Sequence, residues 1–175
     1  DAISSIEYCT LMGVDIASNS WGGGPYSQSL RDTIQAAGDA GMLFVASAGN
    51  GHGNNNDTNP SYPASYDCDN IISVLSTDYR DNLSQHSNYG PLSVDLGAPG
   101  GDSGCRIYSC YKNGGYTTMY GTSMACPHVS GACALVWSQS SSMSSMDVKN
   151  LIMQTVDPIL PGYCVSEGRL NLYRA

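Results

Sequence analysis

The sequence predicts an α/β protein built on a mostly parallel sheet with helices on both faces. Three observations carry this expectation. Helical and strand patterns alternate through residues 1–48. The strand stretches are short and apolar at successive positions, as strands buried on both faces must be. A later stretch, residues 119–137, reads as a turn feeding a helix rich in small residues, a composition that permits close packing beneath a sheet. The order helix, strand, helix, strand implies right-handed crossovers between parallel strands.

Ile3, Ile6, Leu11 and Met12 recur at roughly helical spacing over residues 1–12, and Gly13 ends that helix. Residues 14–20 follow as a short buried strand. The stretch from Trp21 to Pro25 is irregular, because its three glycines carry no side chains to hold a regular element. Ser27 or Ser29 caps a second helix over 27–40, with Leu30, Ile34 and Ala37 as its inner stripe and Gly41 as its stop. A second buried strand covers 42–48. Open parallel sheets gather ligands at the carboxyl ends of their strands. Residues 20–23 and 49–50 both fall there.

Residues 50–60, rich in Gly and Asn, form a surface loop. Residues 62–66 are irregular, 71–75 are a short strand, and 94–98 lead into the turn at Pro99 and Gly100. Residues 101–116 hold the loop between Cys105 and Cys110 and a hairpin arm. The helix after Ser123 turns Ala125, Val129, Ala132, Cys133 and Val136 inward. Pro127 falls about one turn in, at the limit of what a helix start tolerates, so a shallow kink is expected. A last helix over 145–155, with Met146 or Asp147 near its start, buries Val148, Leu151 and Ile152 and stops at Asp157 and Pro158.

The chain has 175 residues, 41% hydrophobic and 13% charged, which bounds it at one domain or a large part of one. A net charge of −8 and seven scattered Lys and Arg argue against nucleic acid as a partner, since phosphates need clustered cations. No run of about 18 apolar residues encodes a membrane span. The seven cysteines, at 9, 68, 105, 110, 126, 133 and 164, are many for a reducing compartment. Cys105 and Cys110 bracket a short loop and are candidates for a bridge, and the odd count leaves at least one thiol free or paired elsewhere. No C-x-x-C pair is present, which argues against zinc and thioredoxin chemistry. Sequons at Asn56 and Asn82 suit a secreted glycoprotein.

Ser123 stands at a helix N-terminus, where unpaired backbone N–H groups favour developing negative charge, which makes it a nucleophile candidate or a simple cap. Nucleophilic catalysis by a serine hydroxyl needs a base, an orienter for that base and donors for the oxyanion. Asn50 offers a neutral amide donor, or a turn asparagine ahead of Gly51. His128 is five residues after Ser123, which on a helix places the two about 140° apart and excludes it as a local base.

The motif GTSMACPHVSG at 121–131 resembles the serine signature of the subtilisin-like serine peptidases, the subtilases. VDIASNSWGGG at 14–24 resembles their substrate-binding strand and FVASAGN at 44–50 their oxyanion-asparagine block, in the same order, while GRLNLYRA at 168–175 is similar to the segment that closes their catalytic domain. The resemblance implies a subtilisin-like fold, with Ser123 as nucleophile and Asn50 in the oxyanion hole. Ser20, Trp21, Gly22 and Gly23 would receive the substrate backbone, and with Ala48 and Gly49 they would wall the pocket before the scissile bond. Trp21 replaces a position that is often aliphatic in the family. The family's aspartate and histidine blocks, which precede the substrate-binding strand, are absent; His52 and His86 lie in no matching context.

Residues 1–175 therefore read as the C-terminal portion of one catalytic domain, apparently lacking its N-terminal part, and on its own almost inactive. Its partners would be peptide or protein substrates and the upstream half of its own domain, with dimerisation expected if it folds alone and leaves a sheet edge bare. No cofactor is required. Residues 62–66 resemble a family loop whose carbonyls hold a weakly bound cation, so calcium is an open expectation. The alternative is a non-catalytic module that binds peptides or pairs with a partner chain. An α/β-hydrolase esterase is excluded, because the serine lacks the G-x-S-x-G elbow.

Overall fold

A computed structural model describes residues 1–140 and 142–175. Helix α1 (Ala2–Leu11) leads through a turn at Gly13 into strand β1 (Ile16–Asn19). Helix α2 (Gln28–Asp39) is capped by Ser27, whose hydroxyl accepts the N–H of Leu30, and is followed by β2 (Leu43–Ser47). Strands β3 (Ile71–Thr77) and β4 (Leu96–Pro99) complete a four-stranded sheet in the order β1-β2-β3-β4, every pairing parallel. The predicted parallel sheet is thus present.

The strands are buried on both faces and alternate between two cores. Leu43, Val45, Ile72, Val74 and Leu96 pack against α3 (Thr122–Gln139) and α4 (Ser145–Gln154). Phe44, Ala46 and Ile71 face the other way, onto Ile6 of α1 and Ile34 and Ala37 of α2. That alternation is why the strands read as continuous apolar runs. Within α4 the capping box uses Ser144 and Asp147, so the helix begins at Ser145.

Lys149 of α4 fastens this layer to the sheet. Its ammonium donates to the carbonyls of Asp69 and Ile71 at 2.9 and 2.6 Å and lies 3.6 Å from Asp95, which accepts the N–H of Ser73. Burial pushes the Asp95 carboxyl up, and Lys149 opposes that push.

A second sheet is an antiparallel hairpin of β5 (Ile107–Cys110) and β6 (Tyr116–Met119) just ahead of α3. The expected bridge between Cys105 and Cys110 is not formed; all seven cysteines are free. Cys110 is the last residue of β5, a strand that spans about 10 Å and carries Cys110 away from Cys105, which precedes it. Of the two sequons, Asn82 is exposed, whereas Asn56 is buried and its amide donates to the carbonyl of Ala48.

Among the described residues no strand pairs with the outer side of β1. The neighbouring outer face of α3, with Pro127, His128, Gly131, Ala134 and Leu135, is also exposed. No described helix is long and apolar enough to cross a membrane.

Candidate active site

Strands β1 and β2 end side by side, and α3 starts at the same end of the sheet. Helix α3 is capped by Gly121 in an extended conformation at positive φ (φ 145°), which a side chain resists. A Cβ there would stand 3.4 Å from the side-chain oxygen of Asn50. That is an ordinary contact, so the backbone conformation rather than crowding selects glycine here.

Thr122, fully buried, joins them. Asn50 Oδ1 accepts both the N–H and the hydroxyl of Thr122, at 3.0 and 3.1 Å, and the same hydroxyl accepts the N–H of Gly49 at 3.3 Å. Fixing the amide oxygen in this way leaves Nδ2 of exposed Asn50 with both donors unused among the described residues.

The helix start disposes of its other orphan donors. The N–H groups of Met124 and Ala125 reach the carbonyl of Gly121, and that of Thr122 is taken by Asn50. The N–H of Ser123 has no internal partner among the described residues. Ser123 Oγ donates to the carbonyl of Ser20 at 3.3 Å. In return the hydroxyl of Ser20 donates to the carbonyl of Ser123 at 2.8 Å. Pro127 explains the second bond: it has no N–H, so the carbonyl four residues earlier lacks its helical donor, and Ser20 supplies one. Helix α3 runs through Pro127 as one element.

The remaining candidates surround this pair. Gly22 and Gly23 run along the carbonyl of Tyr62, which accepts the N–H of Gly23 at 2.9 Å; a Cβ on Gly22 would sit 3.0 Å from that oxygen. Trp21 is 39% exposed, packs edge-on to Phe44 and donates to Asn19, so the ring is a lid on the α1–α2 core rather than part of it. Ala48 is buried, its carbonyl taken by Asn56 and Asn88.

Asn88, missed in the sequence, braces the Asn50 turn: its side chain accepts the N–H of Gly51 at 2.6 Å and its own N–H donates to Gly49. No motif or spacing marks it, since it acts on Gly51 from 37 positions away. The ring of His128 is tied to the carbonyl of Met124 on its own helix, and no histidine nitrogen is among the hydrogen-bond partners of Ser123 Oγ.

Among the described residues no three His, Cys, Asp or Glu converge as metal ligands. In the loop from Ser61 to Tyr66, the carbonyls of Ser61, Tyr62, Pro63 and Tyr66 each accept a backbone N–H. The adjoining cleft, which Ala64, Ser65 and Tyr66 line, already holds the ammonium of Lys149.

The sequence profile described as "Subtilase family" matches residues 1–171. Thermitase of Thermoactinomyces vulgaris is 40% identical over 173 residues, covering 98% of this chain and 57% of its own length. Subtilisin DY of Bacillus licheniformis is 33% identical over 173 residues, covering 99% and 61%. A solved cold adapted subtilisin-like serine proteinase superposes with a TM-score of 0.80 at 31% identity, covering 99% of this chain and 60% of that one. The chain spans about three fifths of the length of these relatives.

Proposed function

The chain belongs to the subtilase family, and from that membership we propose that it is the serine-bearing portion of a subtilisin-like serine endopeptidase, the aspartate and histidine of the triad being supplied upstream of it. One observation carries the reading. Two unpaired donors, the N–H of Ser123 and the amide of Asn50, lie beside one hydroxyl at a helix start.

In this reading a peptide adds as a strand along residues 20–23, with Ala48 and Gly49 behind it. Ser123 Oγ attacks the carbonyl carbon and its proton passes to the upstream histidine. The charge forming on oxygen meets Ser123 N–H and Asn50 Nδ2, both oriented before the reaction begins. Collapse expels the amine, which takes the proton from histidine and leaves an acyl group on Ser123. Water then releases it by the same route. Side chains and backbone alone carry these steps.

The bare outer side of β1 and the exposed face of α3 are the surfaces the upstream portion would cover. Secretion is part of the proposal, supported by the family and by the exposed sequon at Asn82. A second reading has its own observation: the hydroxyl of Ser123 rests on a carbonyl rather than a base, as in a peptide-binding module without catalysis.

Labelling with a fluorophosphonate probe separates the two. The chain alone is expected to react barely, and the chain mixed with its separately expressed upstream segment to react at Ser123. No labelling in the mixture would favour the binding module.

A further inference from the structure

His86 is the buried titratable group that the proposed mechanism leaves unused. It is 7% exposed, and its Nε2 has no hydrogen-bond partner among the described residues. A phenyl ring would fill the same slot without an orphaned nitrogen, so the imidazole calls for a reason.

Its position supplies one. On one side the carbonyl of His86 accepts the N–H of His52 at 3.1 Å, and that of Ser87 accepts the N–H of Gly53 at 3.2 Å, so this segment runs along the turn that carries Asn50. On the other side its ring meets the ring of Tyr120 at 5.2 Å and 63°, just before Gly121 and the helix start. Thr122 ties the same two turns together from the opposite side.

We propose that His86 is a positioning residue of the site: its neutral ring sets the spacing between the Asn50 turn and the Ser123 turn through Tyr120, and protonation loosens that spacing in mild acid. The inference rests on the peptidase reading of Ser123 and Asn50. The two oxyanion donors sit on different turns, and small errors in such geometry are expensive.

The groups facing His86 favour the neutral form on balance. Burial holds the imidazole below the ordinary histidine range, and His52, from the Asn50 turn, pushes the same way; Asp102, after β4, opposes them. Arg106 lies over the Tyr120 ring and adds a second positive charge to that side. Because the folded state takes up the proton later than the unfolded chain does, the stability His86 confers is complete above the ordinary value of about 6.5 and is lost as pH falls from there through the lowered value.

The test uses the intact protein in two arms. In the first, Tm is followed from about pH 8 to 5 in the Ser123→Ala background, with and without His86→Phe. His86→Phe is expected to flatten the acid fall in Tm. In the second, with Ser123 present, His86→Ala is expected to lower kcat at pH 8 by roughly ten-fold with KM within about two-fold, the pattern of a contact that matters in the transition state. His86→Phe should recover most of that loss by restoring the ring. If His86→Ala does not fold, His86→Leu takes its place. Equal Tm slopes, or a kcat unaffected by removing the ring, overturn the role of His86. A parent protein that cuts no peptide and takes no fluorophosphonate overturns the peptidase reading instead, and this inference with it.

Discussion

Asn50 is exposed, yet it has one orientation, because Thr122 holds its oxygen twice. Asn50→Leu removes the proposed donor at little cost in packing. Turnover is expected to fall about 10²–10³-fold with KM nearly unchanged, a loss of the size known from subtilisin itself when such an amide is removed. Thr122→Val keeps the shape of a fully buried side chain but leaves the N–H of Gly49 without its partner. It should cost about 1–3 kcal/mol in urea unfolding, with kcat lowered as well. A third expectation concerns modification: secreted from a eukaryotic host, the protein should carry its glycan on Asn82 and none on Asn56, as peptide mass mapping would show. At this scale the motifs pointed to Ser123 and Asn50, and the structure brings the two turns that carry them together. Asn88 and Thr122 were not legible in the sequence, because what they do depends on which distant turn they touch.

The elements were legible wherever burial sets the pattern. Strands β2 and β3 are buried throughout and read as mostly apolar runs, and of the two expected caps, Ser27 and Ser29, Ser27 starts α2. The region before α3 was harder. A loop closed by Cys105 and Cys110 was the simplest reading of two nearby cysteines, but Cys110 belongs to strand β5 and both thiols are free. The tie between α4 and the sheet left no trace in the sequence either. Lys149→Met would leave the Asp95 carboxylate, 17% exposed, without its counter-ion, at a cost of about 1–3 kcal/mol near neutral pH. Burial already raises the Asp95 carboxyl, and losing Lys149 raises it further, so the folded state binds a proton more readily than the unfolded one. The deficit of Lys149→Met should therefore shrink as pH falls from about 7 toward 5, which chemical denaturation at several pH values would reveal.

For the whole molecule, the alternation of elements was enough to fix a parallel sheet between helices, because crossover handedness and strand burial leave few other arrangements. Where the sheet would stop was less evident from pattern alone. The bare side of β1, whose Ile16 shares a surface cleft with the exposed Ala134 and Ser138 of α3, gives a concrete expectation. Sedimentation of the isolated 175-residue chain should show self-association that an upstream segment of the same protein suppresses. A stable monomer at every concentration would count against the view that this edge is normally covered.

Pro127 has a wider reach than its own helix. By withholding one N–H it gives the carbonyl of Ser123 to Ser20, a residue 103 positions away that begins the proposed peptide-binding strand. The part that would choose the substrate and the part that would cut it therefore share a single joint. On the proposed function, reshaping the groove for a different peptide would retune reactivity as well, so that selectivity and speed would change together.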